Sequence, residues 1–220
     1  MSEIKNSGEF KVPPSGGGGG NIAIVKYNAG NIQSVLFALE RLGVDAKVTD
    51  DKDELFAADK VIFPGVGASR SAMDSLKEKG LDAVIKQLKQ PVLGICVGMQ
   101  LLFEHSEESD TACLGIIPAR VKLFAPPPLK GGFKVPQIGW NEIYNLKTQL
   151  FKNVLEHSYI YYVHSYYAEM NPYCIATTDY VVEYCAAVQK DNFYGVQFHT
   201  EKSAKVGDQI LKNFITMSQP

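Results

Sequence analysis

The chain has 220 residues, of which 45% are hydrophobic and 21% charged, which is enough apolar material for one compact domain with a buried core. Its formal net charge of −2 lacks the excess of Lys and Arg that a nucleic-acid backbone attracts, so we expect no nucleic-acid partner. No apolar run approaches the ~18 residues that span a bilayer, and the first residues given lack the apolar core of a secretory signal. We therefore expect a cytoplasmic protein without a membrane partner.

The first twenty residues, MSEIKNSGEFKVPPSGGGGG, differ in composition from the rest of the chain. Five consecutive glycines after Pro13 and Pro14 are typical of a flexible linker, because they offer no side chains to pack. We expect residues 1–20 to be a flexible extension or an artificial linker, and residues 21–220 to form a single domain.

From Asn21 onward, short apolar runs alternate with stretches of helical periodicity. NIAIV is followed, after turn signals at Asn28 and Gly30, by NIQSVLFALERLG, whose apolar residues recur at helical spacing. The alternation predicts strands at 46–49 and 60–64, helices at 72–79 and 81–88, a strand at 91–95 and a helix after Cys96. Strands that alternate with helices pair in parallel, with helices on both faces of the sheet.

The second half of the chain has a different pattern. Polar turns separate predicted strands at 121–124, 159–167, 173–178, 185–189 and 193–198, and a closing helix begins near Ser203. Proline and glycine predict a loop at 125–132. The predicted fold is α/β, in three layers, with a mixed, mostly parallel central sheet flanked by helices.

One of the four cysteines lies between two glycines, in the sequence LGICVGMQLL at residues 93–102. A strand that turns sharply into a helix holds its first side chain up at the tip, and small neighbours two positions away make room for this turn. A thiolate is the nucleophilic form of cysteine, and a helix N-terminus favours it. Cys96 is therefore a candidate nucleophile, although a small buried thiol is the alternative interpretation. For Cys113, Cys174 and Cys185, neither a zinc spacing nor a disulfide framework is visible, and we expect all four thiols to be free.

The segment GVQFHTEKS, at residues 195–203, supplies the partners that such a nucleophile needs. A base must accept the thiol proton, and a third group must orient that base. In an extended segment residues i and i+2 point to the same side, so His199 and Glu201 can lie together while Thr200 faces away. Each residue alone is more often structural, whereas with Cys96 they make a triad. His105 and His157, flanked by glutamates, are predicted to be structural residues in loops or at helix ends.

The segment FPGVGASRSAM, at residues 63–73, is a strand that ends in glycines before a helix. Glycines let backbone N–H groups approach a developing oxyanion, which makes Gly65, Val66 and Gly67 candidates for an oxyanion hole. An ordinary strand-to-helix turn is the alternative. Phosphate binding is disfavoured, because neither G-x-x-x-x-G-K nor G-x-G-x-x-G spacing is present.

Together, PGVG, GICVGMQ, HSY and QFHTEKS resemble the class I glutamine amidotransferases. With YNAGN, LGICVGMQLLFEHSEE, IGWN and YYVHSYY added, the chain is similar more narrowly to the glutaminase subunits of imidazole glycerol phosphate synthases, from Asn21 to about Gln219. The resemblance implies a flavodoxin-like class I amidotransferase fold, no cofactor and no metal. This sequence departs from the family pattern at two places. Thr200 stands where most relatives have proline, and KYNAGN replaces the more usual Asp-Tyr-Gly near the first strand.

The resemblance also implies roles for individual residues. Cys96 would attack the amide of L-glutamine, His199 would protonate the departing ammonia, and Glu201 would orient the imidazole. Backbone donors at Val97 and in the Gly65–Val66–Gly67 strand would hold the oxyanion. The substrate would contact Gln100, Ser165 and Tyr166. For Gln100, the alternative interpretation is an ordinary helix residue without contact to the substrate.

The expected partner is a separate cyclase subunit with a (β/α)8 barrel, which receives the ammonia in histidine biosynthesis and forms a heterodimer with this chain. The aromatic strand at 159–167 and Trp140 are expected to lie mostly in the core, with a shared surface as the alternative. Three other functions stay open: a glutaminase subunit of another synthase, such as anthranilate synthase; a non-catalytic interaction subunit; and a flavodoxin-like domain that binds a flavin phosphate.

Overall fold

The computed structural model describes residues 20–28, 31–125 and 134–218. The predicted extension, except for Gly20, and most of the predicted loop at 125–132 lie outside the described residues. The domain boundary at residue 21 therefore stays a prediction. Within the described ranges, no helix is long and apolar enough to cross a bilayer.

The described residues form strands, α-helices and two 3-10 helices. In chain order the strands are β1 Ile22–Val25, β2 Ala46–Thr49, β3 Lys60–Gly65, β4 Val92–Cys96, β5 Phe103–Ser106, β6 Thr111–Ala112, β7 Ile117–Leu123, β8 Gln137–Ile143, β9 Ser158–His164, β10 Tyr166–Ala168, β11 Cys174–Asp179, β12 Glu183–Lys190 and β13 Phe193–Val196. The α-helices are α1 Ile32–Arg41, α2 Lys52–Ala57, α3 Ser69–Glu78, α4 Leu81–Gln87, α5 Val97–Gln100 and α6 Ala204–Thr216, and the 3-10 helices are Gln149–Phe151 and Thr200–Lys202.

Eleven strands form one sheet, in the order β2-β1-β3-β4-β13-β12-β10-β7-β5-β6, with β11 added on β12. Strands β2, β1, β3, β4 and β13 are neighbours in the sheet and pair in parallel. Strand β12 pairs antiparallel with β13, β10 and β11. The predicted α/β fold with a mixed central sheet is confirmed. Strands β3 and β4 are buried along their whole length, which explains their continuous apolar sequences.

Strands β8 and β9 form a separate two-stranded antiparallel sheet. The single predicted strand at 159–167 is wrong, because the chain leaves this small sheet at Ser165 and enters the main sheet as β10. Periodicity cannot show this exchange, since both halves of the run are apolar and alternate in the same way. Strand β8 carries the IGWN sequence and was not predicted as a strand.

Several local predictions need correction. Helix α2 was missed, although the Asp51 side chain accepts a hydrogen bond from the Glu54 N–H at 3.0 Å, a capping pattern visible in the sequence. The helix after Cys96 spans only four residues, because the chain continues into β5. His105 lies on β5, where its ring nitrogen is 2.7 Å from Asp110 Oδ1, instead of in a loop. His157 is exposed between elements, as predicted.

Candidate active site

The nucleophile candidate lies at the carboxyl end of β4. Cys96 has φ 54° and ψ −112°, a strained combination for a residue with a side chain, and α5 begins at the next residue. A Cβ atom on Gly98 would lie 1.9 Å from the Phe63 carbonyl oxygen, and one on Gly94 would lie 2.8 Å from the Gly98 carbonyl. The two glycines are thus needed for the close packing of the turn, as predicted.

The pairing of the sheet brings the histidine to the cysteine. In β13, Gly195 is opposite Gly94 and Val196 opposite Ile95 of the parallel strand β4. Because both strands run in the same direction, the residues that follow them meet at the same edge, which is where α/β folds bind ligands. Cys96 and His199 line the same cavity at this edge, with a volume of about 460 Å³.

His199 Nδ1 and Glu201 Oε1 are 2.7 Å apart, and both side chains are almost fully buried. The extended conformation predicted for this segment is wrong after His199, because Thr200–Lys202 form a 3-10 turn. The turn still brings the carboxylate to the imidazole. Thr200 is fully buried and, within the described ranges, is not among the residues that line the cavity.

The surroundings of His199 favour its protonated form. Burial by itself lowers the pKa of this imidazole, but hydrogen bonds and charge interactions with Cys96 and Glu201 outweigh burial and raise the pKa to about 10. The imidazole therefore carries a proton at neutral pH. Such a group can donate a proton to a leaving amine and hold an adjacent thiolate by charge.

The predicted oxyanion residues lie beside Cys96. In the parallel pair β3–β4, Gly65 is opposite Cys96. Val66, Gly67 and Val97 line the cavity, whereas Gly65 lies behind it, where an added Cβ would be 2.6 Å from the Gly98 nitrogen. Gly67 has φ +92°, which residues with a side chain rarely adopt.

The predicted substrate-binding residues, Gln100, Ser165 and Tyr166, also line the cavity. The Gln100 side-chain amide donates to the Tyr166 carbonyl at 3.0 Å and to Gln197 Oε1 at 2.9 Å. Gln197 in turn places its amide nitrogen 3.9 Å from Cys96 Sγ, within reach of a weak hydrogen bond to sulfur. Gln197 was not predicted as a site residue, although it lies in the GVQFHTEKS segment.

Four further polar residues of the cavity wall were missed by the sequence analysis: Asn31, Glu108, His164 and Lys202. Glu108 Oε2 accepts the Ser69 N–H at 2.6 Å at the start of α3, which fixes the carboxylate at the cavity. Asn31 Nδ2 donates to Glu201 Oε1 at 2.6 Å. Glu108 lies in the FEHSEE sequence that carries part of the resemblance, whereas no local pattern connects Asn31 with a residue so distant in the chain.

The second buried histidine of the cavity is neutral. Burial lowers the pKa of His164 to about 4, although its hydrogen bond to the Tyr166 carbonyl opposes this shift. His164 Nδ1 lies 2.7 Å from that carbonyl, and Nε2 lies 3.2 Å from the Tyr184 hydroxyl. A neutral imidazole satisfies the first contact by donating through Nδ1, because a carbonyl oxygen can only accept.

All four cysteines are free, as predicted, and the described part of the chain contains no group of three His, Cys, Asp or Glu side chains able to hold a metal. Tyr27, in the KYNAGN sequence, has a structural role at the site. The Tyr27 hydroxyl donates to the Pro64 carbonyl at 2.7 Å, at the end of β3. This contact fixes the strand that carries Gly65.

Comparisons with known proteins agree with this geometry. The family described as Glutamine amidotransferase class-I matches residues 23–217. The imidazole glycerol phosphate synthase subunit HisH of Bacteroides fragilis is 54% identical over 196 residues, which cover 89% of this chain and 99% of the relative. The HisH subunit of Haemophilus influenzae is 42% identical, with 89% and 96% coverage.

A solved structure of a glutamine amidotransferase from Thermotoga maritima superposes on this chain with a TM-score of 0.60 at 15% sequence identity. The superposition covers 88% of this chain and 81% of the Thermotoga chain, and shows that the two share a fold. The resemblance seen in the sequence is confirmed. The chain therefore belongs to the class I glutamine amidotransferase family and, within it, to the HisH subunits of imidazole glycerol phosphate synthase.

Proposed function

We propose that this chain is the glutaminase subunit of an imidazole glycerol phosphate synthase, which hydrolyses L-glutamine to glutamate and ammonia. The observation that carries the proposal is the placement of Cys96 in the same cavity as the hydrogen-bonded pair His199 and Glu201. Nucleophile, base and orienting carboxylate are the parts that acyl transfer through a thioester requires.

In the proposed reaction, Cys96 Sγ attacks the side-chain carbonyl carbon of glutamine after its proton has passed to His199. Backbone N–H groups of Val97 and of the segment from Gly65 to Gly67 stabilise the oxyanion of the tetrahedral intermediate. His199 protonates the nitrogen as the C–N bond breaks, so that ammonia leaves and a thioester forms on Cys96. Water then attacks the thioester with His199 as the base, and glutamate departs as the thiol is restored.

The cavity wall offers complementary groups for the amino-acid end of glutamine. Glu108 supplies negative charge for the α-ammonium group, and Lys202 supplies positive charge for the α-carboxylate. Gln100, Ser165 and Tyr166 contribute further polar groups to the cavity wall. Because Gln100 is already held by two hydrogen bonds, its role is to present a fixed amide to the substrate.

The ammonia passes to a cyclase subunit with a (β/α)8 barrel, which docks on the outer side of the two-stranded sheet. We name this surface the aromatic face, and its residues are Ile138, Trp140, Tyr159, Tyr161 and Val163. Ile138, Trp140 and Tyr159 are more than half exposed. Trp140 and Tyr159 thus depart from the core position expected for most rings of this segment, whereas Tyr162 is buried and Tyr166 and Tyr167 pack against the core. Exposed aromatic residues of this kind are typical anchors of protein interfaces.

The aromatic face adjoins the triad directly. Trp140 and Tyr161 are opposite each other in the sheet, with their rings 5.8 Å apart. The Tyr161 carbonyl accepts the His199 backbone N–H at 3.0 Å, and Val163 lines the cavity. A partner docked on this face would therefore contact Tyr161, which is hydrogen-bonded to His199, and Val163, which lines the cavity where ammonia is released.

Glutamine hydrolysis, measured with and without the cyclase and its nucleotide ligand, tests the proposal. We expect the cyclase to stimulate the reaction, Cys96→Ala to abolish it, and Cys113→Ala, at a half-buried thiol outside the cavity, to leave it unchanged. Unchanged ammonia release by Cys96→Ala would favour a non-catalytic interaction subunit. Stimulation by an anthranilate synthase subunit, with none by the cyclase, would assign the chain to another synthase.

A further inference from the structure

Asn31 begins helix α1 but does not cap it. Its backbone is left-handed, with φ 74° and ψ 12°, and its side chain makes no hydrogen bond to the first turn of the helix. Asparagine at this position normally accepts a hydrogen bond from a free N–H of the first turn, which stabilises the helix. At Asn31 this local stabilisation is given up for a different contact.

That contact is with the carboxylate of the candidate triad. Asn31 Nδ2 donates to Glu201 Oε1 at 2.6 Å, and His199 Nδ1 lies 2.7 Å from the same oxygen. The second oxygen, Glu201 Oε2, is buried without a hydrogen-bond partner in the described part of the chain. Both donors thus meet on one oxygen, and this fixes the rotation of the carboxylate about its last bond.

The contact also replaces solvation that the carboxylate lacks. Glu201 is almost fully buried, and a buried ionised carboxylate needs hydrogen-bond donors in place of water. His199 supplies one donor, and Asn31 supplies the only other hydrogen bond to this carboxylate among the described residues. A glutamate with one donor and a free oxygen can turn Oε1 away from the imidazole.

We propose that Asn31 is a positioning residue of the glutaminase site, which holds Glu201 Oε1 against His199 Nδ1. The inference rests on the proposed function. Asn31 does not touch the reacting atoms; it acts through Glu201 on the direction of the imidazole and hence on both proton transfers. Because catalysis depends on alignment within about 1 Å, loss of this contact reduces the chemical step while substrate binding is retained.

Two substitutions test this role. Asn31→Gly removes the side chain and retains a residue suited to the left-handed backbone. Asn31→Asp keeps the size and the backbone preference, but replaces the N–H donor with an acceptor that faces Glu201. The matched control is Asn145→Gly, since Asn145 is also left-handed, with φ 56°, and also donates through Nδ2, to Thr177 Oγ1 at 2.9 Å, away from the cavity.

The measurement is steady-state glutamine hydrolysis in the complex with the cyclase, with thermal unfolding of each variant alone. We expect kcat to fall about 10- to 100-fold for Asn31→Gly and at least as much for Asn31→Asp, with KM for glutamine unchanged within about twofold. Asn145→Gly should keep its kcat.

Wild-type kcat in Asn31→Asp would overturn the inference, because it would show that only the shape of the side chain matters. An equal loss in Asn145→Gly would overturn it as well. The proposed function fails in a different way: wild-type protein would then be inactive with the cyclase, or Cys96→Ala would be fully active. An active wild type, an inactive Cys96→Ala and an unaffected Asn31→Gly would refute the positioning role alone.

Discussion

His164 and His199 line the same cavity, but their surroundings shift their pKa values in opposite directions. Burial, together with the neighbouring charge of His199, lowers the pKa of His164 to about 4. His199 is also buried, yet Cys96 and Glu201 raise its pKa to about 10. His164 is thus a neutral structural group, whereas His199 is a charged candidate acid. Their contributions to the free energy of unfolding change in different pH ranges.

His164 should make the folded state sensitive to acid. Its pKa is lower in the folded state than the ordinary value of 6.5, so between pH 6.5 and about 4 the unfolded state binds more protons. The free energy of unfolding should therefore decrease as pH falls through this window, by up to ~1.4 kcal/mol per pH unit. Denaturant unfolding at several pH values measures this slope.

For His164, the variant His164→Gln should reduce the slope, because its side-chain amide can donate to the Tyr166 carbonyl without titrating. Equal slopes in wild type and His164→Gln would show that His164 is not the titrating group.

His199 should have the opposite effect at alkaline pH. Its pKa is raised above 6.5, so its contribution to stability is complete below pH 6.5 and is lost as pH rises towards about 10. Glu201→Gln removes the negative charge from the isosteric side chain and should lower the His199 pKa, with a loss of activity. NMR titration of the imidazole measures the change. An unaltered pKa in Glu201→Gln would contradict the charge interaction between the two residues.

The sequence was informative where a requirement is local. The glycines around Cys96 predicted the sharp turn, and the i, i+2 pair His199 and Glu201 predicted the hydrogen bond, although the turn between them is 3-10 instead of extended. Spacing along the chain is enough for these features, because the interacting groups are close in sequence.

Contacts between distant segments could not be predicted in this way. Asn31 meets Glu201 only because β1, β3, β4 and β13 are neighbours in the sheet. The exposure of Trp140 depends on the separation of β8 and β9 from the main sheet, and an aromatic run has the same pattern in a core and at an interface. Both results depend on tertiary pairing, which periodicity does not encode.

Gly98→Ala should destabilise the turn that carries Cys96, the candidate nucleophile. The new Cβ would lie 1.9 Å from the Phe63 carbonyl oxygen, so β3 and α5 must move apart. We expect the free energy of unfolding to fall by about 3 kcal/mol, with loss of glutaminase activity. In the control Gly115→Ala, with φ +68° and no atom within 4 Å, only backbone strain of about 1 kcal/mol is expected. Similar losses of stability in the two variants would show that space behind Cys96 is not limiting.

Trp140→Ala should weaken the complex with the cyclase and leave the chain folded. Trp140 is 52% exposed and its ring meets the Tyr161 ring in a T-shaped contact, so truncation costs little in the free chain. An aromatic anchor at the centre of an interface contributes about 2 kcal/mol or more, which corresponds to a roughly 30-fold increase in Kd.

Phe56→Ala provides the control, because Phe56 is similarly exposed, at 46%, but lies on α2 between β2 and β3. Titration calorimetry with the cyclase should give the wild-type Kd for Phe56→Ala. If Trp140→Ala also binds with the wild-type Kd, the cyclase docks elsewhere. The ammonia must then leave by a path that does not pass the aromatic face.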